Sequence, residues 1–404
     1  MQIRYQCIEC GRKYETSSKI MYVCPVCSAF QTKEEPVHGV LRVLLPYDDL
    51  KKSVQGISFN IKDLLPIEDH FMPDYPVGNT PLMKSDKIAV DTGYHNLYFK
   101  DETRNPTGSV KDRASVLVAG FARQNNKNKV VVASTGNIAA SMAAVSAAAG
   151  LECITFVPKT ISRSRLVQIM IYGAKVVCVD GSYDDAFNLA IEYSEKYAAV
   201  CRNNAYNPFT IEGEKTVGFE IFQQLDYSVP DYIFVPTADG TMLSSIYKGF
   251  YDLFQFDWLP EMPKLVAVQV DGHNSIVNAI RTGKIENTSD NPTIADSLDV
   301  KVSRNAFLAL KDLDSTCGLG VSVNDRELIY AQKYLAENLG VFVEPAGAAS
   351  YAGFLRLKSF IDKKEKVVFI LSANGLKNVN QVSQNIQFPE PIPPELSAVP
   401  EDIC

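Results

Sequence analysis

The chain predicts a two-lobed α/β fold with parallel sheets covered by helices, preceded by a small cysteine-rich element. Three observations carry that reading. Its 404 residues, 46% of them hydrophobic and 22% charged, are enough for two lobes and a large buried core. From Lys129 onward, short apolar runs rich in β-branched residues alternate with helical patterns. The first thirty residues hold two Cys-x-x-Cys pairs.

Those pairs, Cys7-Ile8-Glu9-Cys10 and Cys24-Pro25-Val26-Cys27, come first in the chain. Four thiolates at this spacing can close a tetrahedral zinc site across a small ribbon. Such a site has no open coordination position and is expected to be structural. Residues 1–35 are therefore read as a zinc-ribbon-like element. The other cysteines, Cys153, Cys178, Cys201, Cys317 and Cys404, are scattered, and three of them read as small core residues.

The next informative stretch is Lys100-Asp101-Glu102-Thr103-Arg104-Asn105-Pro106-Thr107-Gly108-Ser109-Val110-Lys111-Asp112-Arg113. A Pro-Thr-Gly-Ser turn presents one lysine at the mouth of a helix that begins near Asp112. A partly desolvated amine loses proton affinity and becomes a usable nucleophile or base, as a Schiff-base lysine must be.

The alternation then begins. Val130–Ala133 precedes an Ala-rich helix over Ile138–Ala149, Cys153–Val157 precedes Ser162–Tyr172, and Lys175–Val179 precedes Asp184–Tyr197. Tyr232–Val235 leads into Met242–Phe254, Leu265–Val270 into Asn274–Thr282, and Val367–Leu371 is the last buried strand. Continuous apolar strands between helices imply parallel sheets covered on both faces, and ligands then bind beyond the strands' carboxyl ends. Three loops that follow strands stand out. Ser134-Thr135-Gly136-Asn137 joins a strand to a helix N-terminus and suits a carboxylate, and Asn137 can also bond a phenolic oxygen. Thr237-Ala238-Asp239-Gly240-Thr241-Met242 opens another helix with small residues that can cradle a phosphate, although Ala238 and Asp239 stand where glycine is expected. Ser372-Ala373-Asn374-Gly375 offers a hydroxyl to a heteroaromatic nitrogen. Taken singly, each is also compatible with a plain helix cap.

Composition excludes several classes. The net charge of -7 and the absence of a basic stripe argue against nucleic-acid binding. The longest apolar runs are strand-length, so no transmembrane helix is expected, and the N-terminus lacks a signal peptide's apolar core. These features predict a cytoplasmic protein with reduced thiols. The four histidines, His38, His70, His95 and His273, lie away from any Gly-Ser turn, which disfavours a Ser-His-Asp hydrolase.

The lysine turn, the Ser-Thr-Gly-Asn loop and the small-residue loop occur in that order. Gly78-Asn79-Thr80-Pro81-Leu82 lies upstream and Ser372-Ala373-Asn374-Gly375-Leu376-Lys377 downstream. Together they closely resemble threonine synthase, in the subgroup with an N-terminal cysteine ribbon, over residues 1–385. That family belongs to the pyridoxal-phosphate (PLP) enzymes of the tryptophan synthase β type. The resemblance implies pyridoxal 5′-phosphate bound covalently to Lys111, which also shuttles protons. It assigns Asn137 to the cofactor's 3′-oxygen, Thr237 through Met242 to its phosphate and Ser372 to its pyridine nitrogen. Ser134, Thr135, Asn204 and Arg104 become candidates for holding the substrate, and Cys7, Cys10, Cys24 and Cys27 for structural zinc. The implied reaction takes O-phosphohomoserine and water to L-threonine and phosphate. The implied division is a ribbon at 1–35, a catalytic unit at 36–387 with a smaller mobile lobe near 128–205, and a Pro- and acid-rich tail at 388–404 without regular structure. The partner is a small amino-acid substrate, and a homodimer is the assembly considered.

The chain departs from the family at one telling place. The family pattern Asn-x-x-Asn-x-x-Arg-x-Glu-Gly reads here Asn204-Ala205-Tyr206-Asn207-Pro208-Phe209-Thr210-Ile211-Glu212-Gly213, so Thr210 replaces the arginine that binds the leaving phosphate. A threonine hydroxyl does not replace a bidentate guanidinium. Ile138 likewise stands where a hydroxyl is common. Arg104, Arg163, Arg165 and Lys215 are the candidates to compensate, Arg104 first. The alternative function is a paralogous β-elimination or β-replacement enzyme, a dehydratase or synthase, acting on phosphoserine or another hydroxy-amino-acid derivative. A catalytically silent homologue is the third reading, and Lys111 argues against it.

Overall fold

The computed structural model describes residues 2–16, 20–53, 57–288, 292–383 and 388–399. Its larger sheet has six strands in the order Leu319–Val323, Lys264–Val270, Tyr232–Pro236, Val367–Leu371, Leu97–Asp101, Leu82–Met83. All neighbours pair in parallel except the last two. The smaller sheet is parallel, in the order Lys175–Val179, Glu152–Pro158, Lys129–Ala133, Val200–Cys201.

Side-chain alternation along the central strands explains why both faces of the larger sheet are apolar. Phe234, Val266, Val268 and Phe369 point into one core, shared with the helices Asp325–Leu339 and Pro345–Leu357. Their neighbours Ile233, Val235, Leu265, Ala267, Val368 and Ile370 point into a second core with the helix Thr241–Gln255. A continuous hydrophobic strand is the only pattern that feeds both cores at once. The smaller sheet is built the same way. Val130 and Val132 meet the helices Lys111–Gln124 and Asn137–Ala149, while Val131 and Ala133 meet Tyr183–Lys196.

The strand Leu97–Asp101 and the helix after it are fastened by buried charges. Arg113 Nε donates to Glu102 at 2.7 Å and its Nη1 to Glu220 at 2.7 Å, while Lys100 Nζ lies 2.6 Å from Glu220. Burial alone would raise the Glu220 carboxyl, but Arg113 and Lys100 outweigh it and hold it well below the usual carboxylate range.

The N-terminal element is a three-stranded antiparallel sheet in the order Lys13–Glu15, Arg4–Cys7, Leu41–Leu44. It packs on the body of the chain through Ile8, Val37 and Val40 against Ala205, Ile211 and Leu308. No helix among the described residues is long and apolar enough to cross a membrane. In the tail, Leu396–Ala398 forms one 3-10 turn where the sequence predicts no regular structure, and residues 400–404 lie outside the described residues.

Candidate active site

The loops beyond the carboxyl ends of both sheets enclose a cavity of about 900 Å³. Lys111 is aimed into it by a backbone clip. Val110 N donates to Ser372 O at 3.0 Å and Asn374 N to Gly108 O at 2.9 Å, which joins the lysine turn to the end of the last strand. Asp112 closes the turn from below, accepting from Thr107 N at 2.8 Å and Thr107 Oγ1 at 2.6 Å. The Lys111 side chain is 18% exposed, and its Nζ rests on Glu214 at 3.0 and 3.2 Å.

Lys111, Ser134, Thr135, Asn137, Asn204, Ala238, Asp239, Met242 and Ser372 all line this one cavity. They come from segments far apart in the chain, and only the two sheets bring them together. Asn137 opens its helix, and its Nδ2 donates to Glu344 at 3.1 and 3.3 Å. Glu344 also accepts from Ser297, and burial pushes its carboxyl up.

Four predicted residues are not part of the lining. Arg104 lies on the surface, 61% exposed, with Nε on Asp101 at 2.9 Å. Closeness to Lys111 in sequence does not bring it to the site, because the Asn105–Gly108 turn separates the two. Thr237 continues the sheet, its N–H spent on Val268 O at 2.8 Å and its hydroxyl on Val235 O. Gly240 and Thr241 stand behind the wall at the head of the helix Thr241–Gln255. Thr241 N donates to Asp239 Oδ1 at 2.9 Å, so this chain places an acid on an amide of the expected cradle. Gly240 has a φ of 97°, and a Cβ there would lie 2.8 Å from Ala309 Cβ, so glycine alone fits.

Sequence reasoning overlooked Glu344, Arg304 and Lys377, which also line the cavity. Glu344 stands just before Pro345, the first residue of its helix, and that N-terminal proline was the available signal. Arg304 pairs with Asp184, and Arg165 with Asp296. Lys377 Nζ donates to Thr107 O at 2.7 Å, and burial pulls its ammonium down. Of the other cations considered in place of Thr210, Arg163 is exposed outside the lining and Lys215 is buried between Glu212 and Asp252. Thr210 itself is buried, donating to Asn207 O at 2.8 Å.

The donor set fits a phosphorylated heteroaromatic aldehyde. It combines a cavity-facing amine, an amide and a hydroxyl for ring substituents, and a helix N-terminus with a glycine that no side chain could replace. The cysteine cluster likewise fits a metal. Its four Sγ atoms lie within 4.8 Å of one another, with Cys7–Cys27 at 3.7 Å and Cys10–Cys24 at 3.8 Å. A tetrahedral ion with metal–sulfur bonds of about 2.3 Å has sulfur–sulfur edges of about 3.8 Å. Burial pushes the Cys24 thiol up, but the Tyr14 hydroxyl at 3.0 Å and nearby amides bring it down to about 6.

A family profile described as pyridoxal-phosphate dependent enzyme matches residues 74–373. Threonine synthase of Methanocaldococcus jannaschii is 36% identical over 92% of this chain and 92% of its own length. That of Methanosarcina acetivorans is 34% identical over 98% of both chains. That of Mycobacterium tuberculosis is 30% identical over 86% of this chain and 96% of its own. In fold the chain is similar to maize serine racemase, with a TM-score of 0.67, 24% identity, and coverage of 76% of this chain and 91% of that one. It is also similar to threonine deaminase isoform 2 of Solanum lycopersicum, with a TM-score of 0.66, 21% identity, and coverage of 80% and 91%.

Proposed function

The chain belongs to the threonine synthase family of pyridoxal-phosphate dependent enzymes, and from that premise we propose that it converts O-phosphohomoserine and water to L-threonine and phosphate. The observation that carries the reading is the convergence of Lys111, Asn137, Ser134, Thr135 and Ser372 on one cavity.

Pyridoxal 5′-phosphate, when bound, supplies the electron sink for charge that develops on the substrate carbons. The residues assigned to hold it are Lys111, Asn137, Ser372 and the turn Ala238–Met242, whose Ala238, Asp239 and Met242 line the cavity while Gly240 packs against Ala309 behind it. A hydroxyl such as Ser372 leaves a ring nitrogen largely neutral and suits elimination and replacement chemistry. Ser134 and Thr135, at the head of the helix Asn137–Ala149, are placed for the substrate carboxylate. Lys111 Nζ is the group that takes and returns protons along the substrate chain. Arg165, Arg304 and Lys377, rather than Arg104, are the cations assigned to the leaving phosphate. Lys377 is favoured among them because its ammonium donates to a backbone carbonyl and pairs with no carboxylate among the described residues.

The four cysteines are read as a structural zinc site, and residues 1–35, 36–387 and 388–404 as ribbon, catalytic unit and tail, with the strand Leu41–Leu44 of the catalytic unit completing the ribbon's sheet. The burial of Thr210 outside the cavity favours a second reading, elimination or replacement at Cβ of phosphoserine or a related hydroxy-amino acid. Purified protein offered phosphohomoserine, threonine and phosphoserine in parallel, with phosphate, ammonia and keto acid measured, separates the two. Phosphate with threonine from the first substrate supports the proposal. Release of phosphate from phosphoserine alone overturns it.

A further inference from the structure

Glu214 ends the short helix Phe209–Glu214 in a run that is otherwise core. Its side chain is 0% exposed, and both of its oxygens accept from Lys111 Nζ. The contact depends on a close approach of two backbones. A Cβ on Gly213 would lie 2.5 Å from Arg113 O and 2.6 Å from Ala114 Cα, so only glycine lets this helix reach the one that carries Lys111.

A second cation stands behind the carboxylate. Arg202 is fully buried, and its Nη2 has no hydrogen-bond partner among the described residues. Its remaining nitrogens reach Asn204 Oδ1 at 2.7 Å and Ser115 Oγ at 3.5 Å. Burial pulls its guanidinium down, opposed by Glu214 first and then Asp239 and Tyr183. An alternation of charge, Lys111, Glu214, Arg202, Asp239, therefore runs from the amine to the head of the helix Thr241–Gln255, with Lys111 and Asp239 on the cavity lining and Glu214 and Arg202 buried behind it. The other charges near Glu214 are engaged elsewhere. Glu212 and Lys215 pair with each other and with Lys248 and Asp252, and Asp112 is turned to Thr107.

We propose that Glu214 is the dock of Lys111. It receives the amine whenever that amine is not bonded to cofactor, holds it as ammonium at the cavity wall, and sets the pH at which Lys111 becomes a nucleophile or base. The catalytic meaning rests on Lys111 being the cofactor lysine, but the dock itself does not need the cofactor.

The test uses cofactor-free full-length protein labelled with trace acetic anhydride across a pH series, with acetylation of the Lys111 peptide read by mass spectrometry. Removing the carboxylate charge in E214Q is expected to lower the labelling midpoint of Lys111 by about one pH unit. E214D keeps the charge one methylene further back. It is expected to shift the midpoint less in the same direction, and it carries the test if E214Q does not fold. A second readout is the pH midpoint of visible absorbance after pyridoxal phosphate is added, expected to move the same way. Identical Lys111 labelling profiles in wild type, E214Q and E214D overturn the dock. Failure of wild type to take up pyridoxal phosphate overturns the functional reading instead, with the labelling result still decisive for the dock.

Discussion

Lys111 rests on the Glu214 carboxylate at the edge of the cavity it lines, and the first prediction follows from that placement. K111A is expected to lose both turnover and the visible band of the cofactor complex. Borohydride reduction of wild type should leave a mass adduct on the peptide that holds Lys111, and an adduct on another lysine would displace the assignment. The second prediction corrects an expectation from sequence. R104A should keep near wild-type kcat/KM, because its guanidinium is on the surface beside Asp101. K377A should lose about 2–4 kcal/mol of transition-state stabilisation, about 30- to 800-fold in kcat/KM on phosphohomoserine. Equal activity of K377A and wild type would remove Lys377 from the phosphate site. Lys111, Asn137 and Ser372 were legible because each sits in a loop directly after a strand or in a turn whose residue types are unusual. Glu214 and Lys377 were not, because a lone charged residue in a helical run carries no sign of which cavity it faces, and Glu344 was marked only by the proline that follows it.

Elements read well where their chemistry was uniform. The strands at 130–133, 153–157 and 265–270 were visible as continuous apolar runs because both faces are buried. Leu97–Asp101 was not read as a strand because it ends in Lys100 and Asp101, charges that look exposed but are buried, Lys100 on Glu220 and Asp101 on Thr103 and Arg104. Leu319–Val323, with its glycine and serine and an exposed first residue, is an edge strand and lacked that apolar run. The network supports a third prediction. Glu220 is held below its unfolded value near 4.3, so its contribution is fully present above about pH 5 and is lost as pH falls through the folded value. E220Q should cost about 3–5 kcal/mol at neutral pH by leaving Arg113 and Lys100 without their shared carboxylate. Its melting temperature should then fall less than that of wild type between pH 5 and pH 3, and parallel melting curves for the two proteins would contradict this. A fourth prediction concerns the ribbon. Wild type is expected to carry about one zinc per chain, and C10A to lose most of it and to loosen residues 2–44 in hydrogen exchange. C10A should keep its visible cofactor band, since the four cysteines stand apart from the cavity lining. Metal-free wild type with the same exchange protection would refute a structural zinc.

At the scale of the whole molecule, two sheets from separate stretches of chain turn the carboxyl ends of their parallel strands toward one cavity of about 900 Å³. The class was legible from the alternation of strands and helices. The pairing of segments across the lobes, such as Lys111 with Ser372 or Asn137 with Glu344, was not, because nothing in the local sequence specifies it. Thr210, where the resemblance leads one to expect an arginine, makes substrate identity the central claim. It is tested most directly by incubating purified, pyridoxal-phosphate-loaded protein with O-phosphohomoserine and measuring threonine and inorganic phosphate together, with K111A alongside. Equal amounts of both products from wild type and neither from K111A is the predicted result. Wild type that releases no phosphate from phosphohomoserine, or releases it without threonine, would contradict the account.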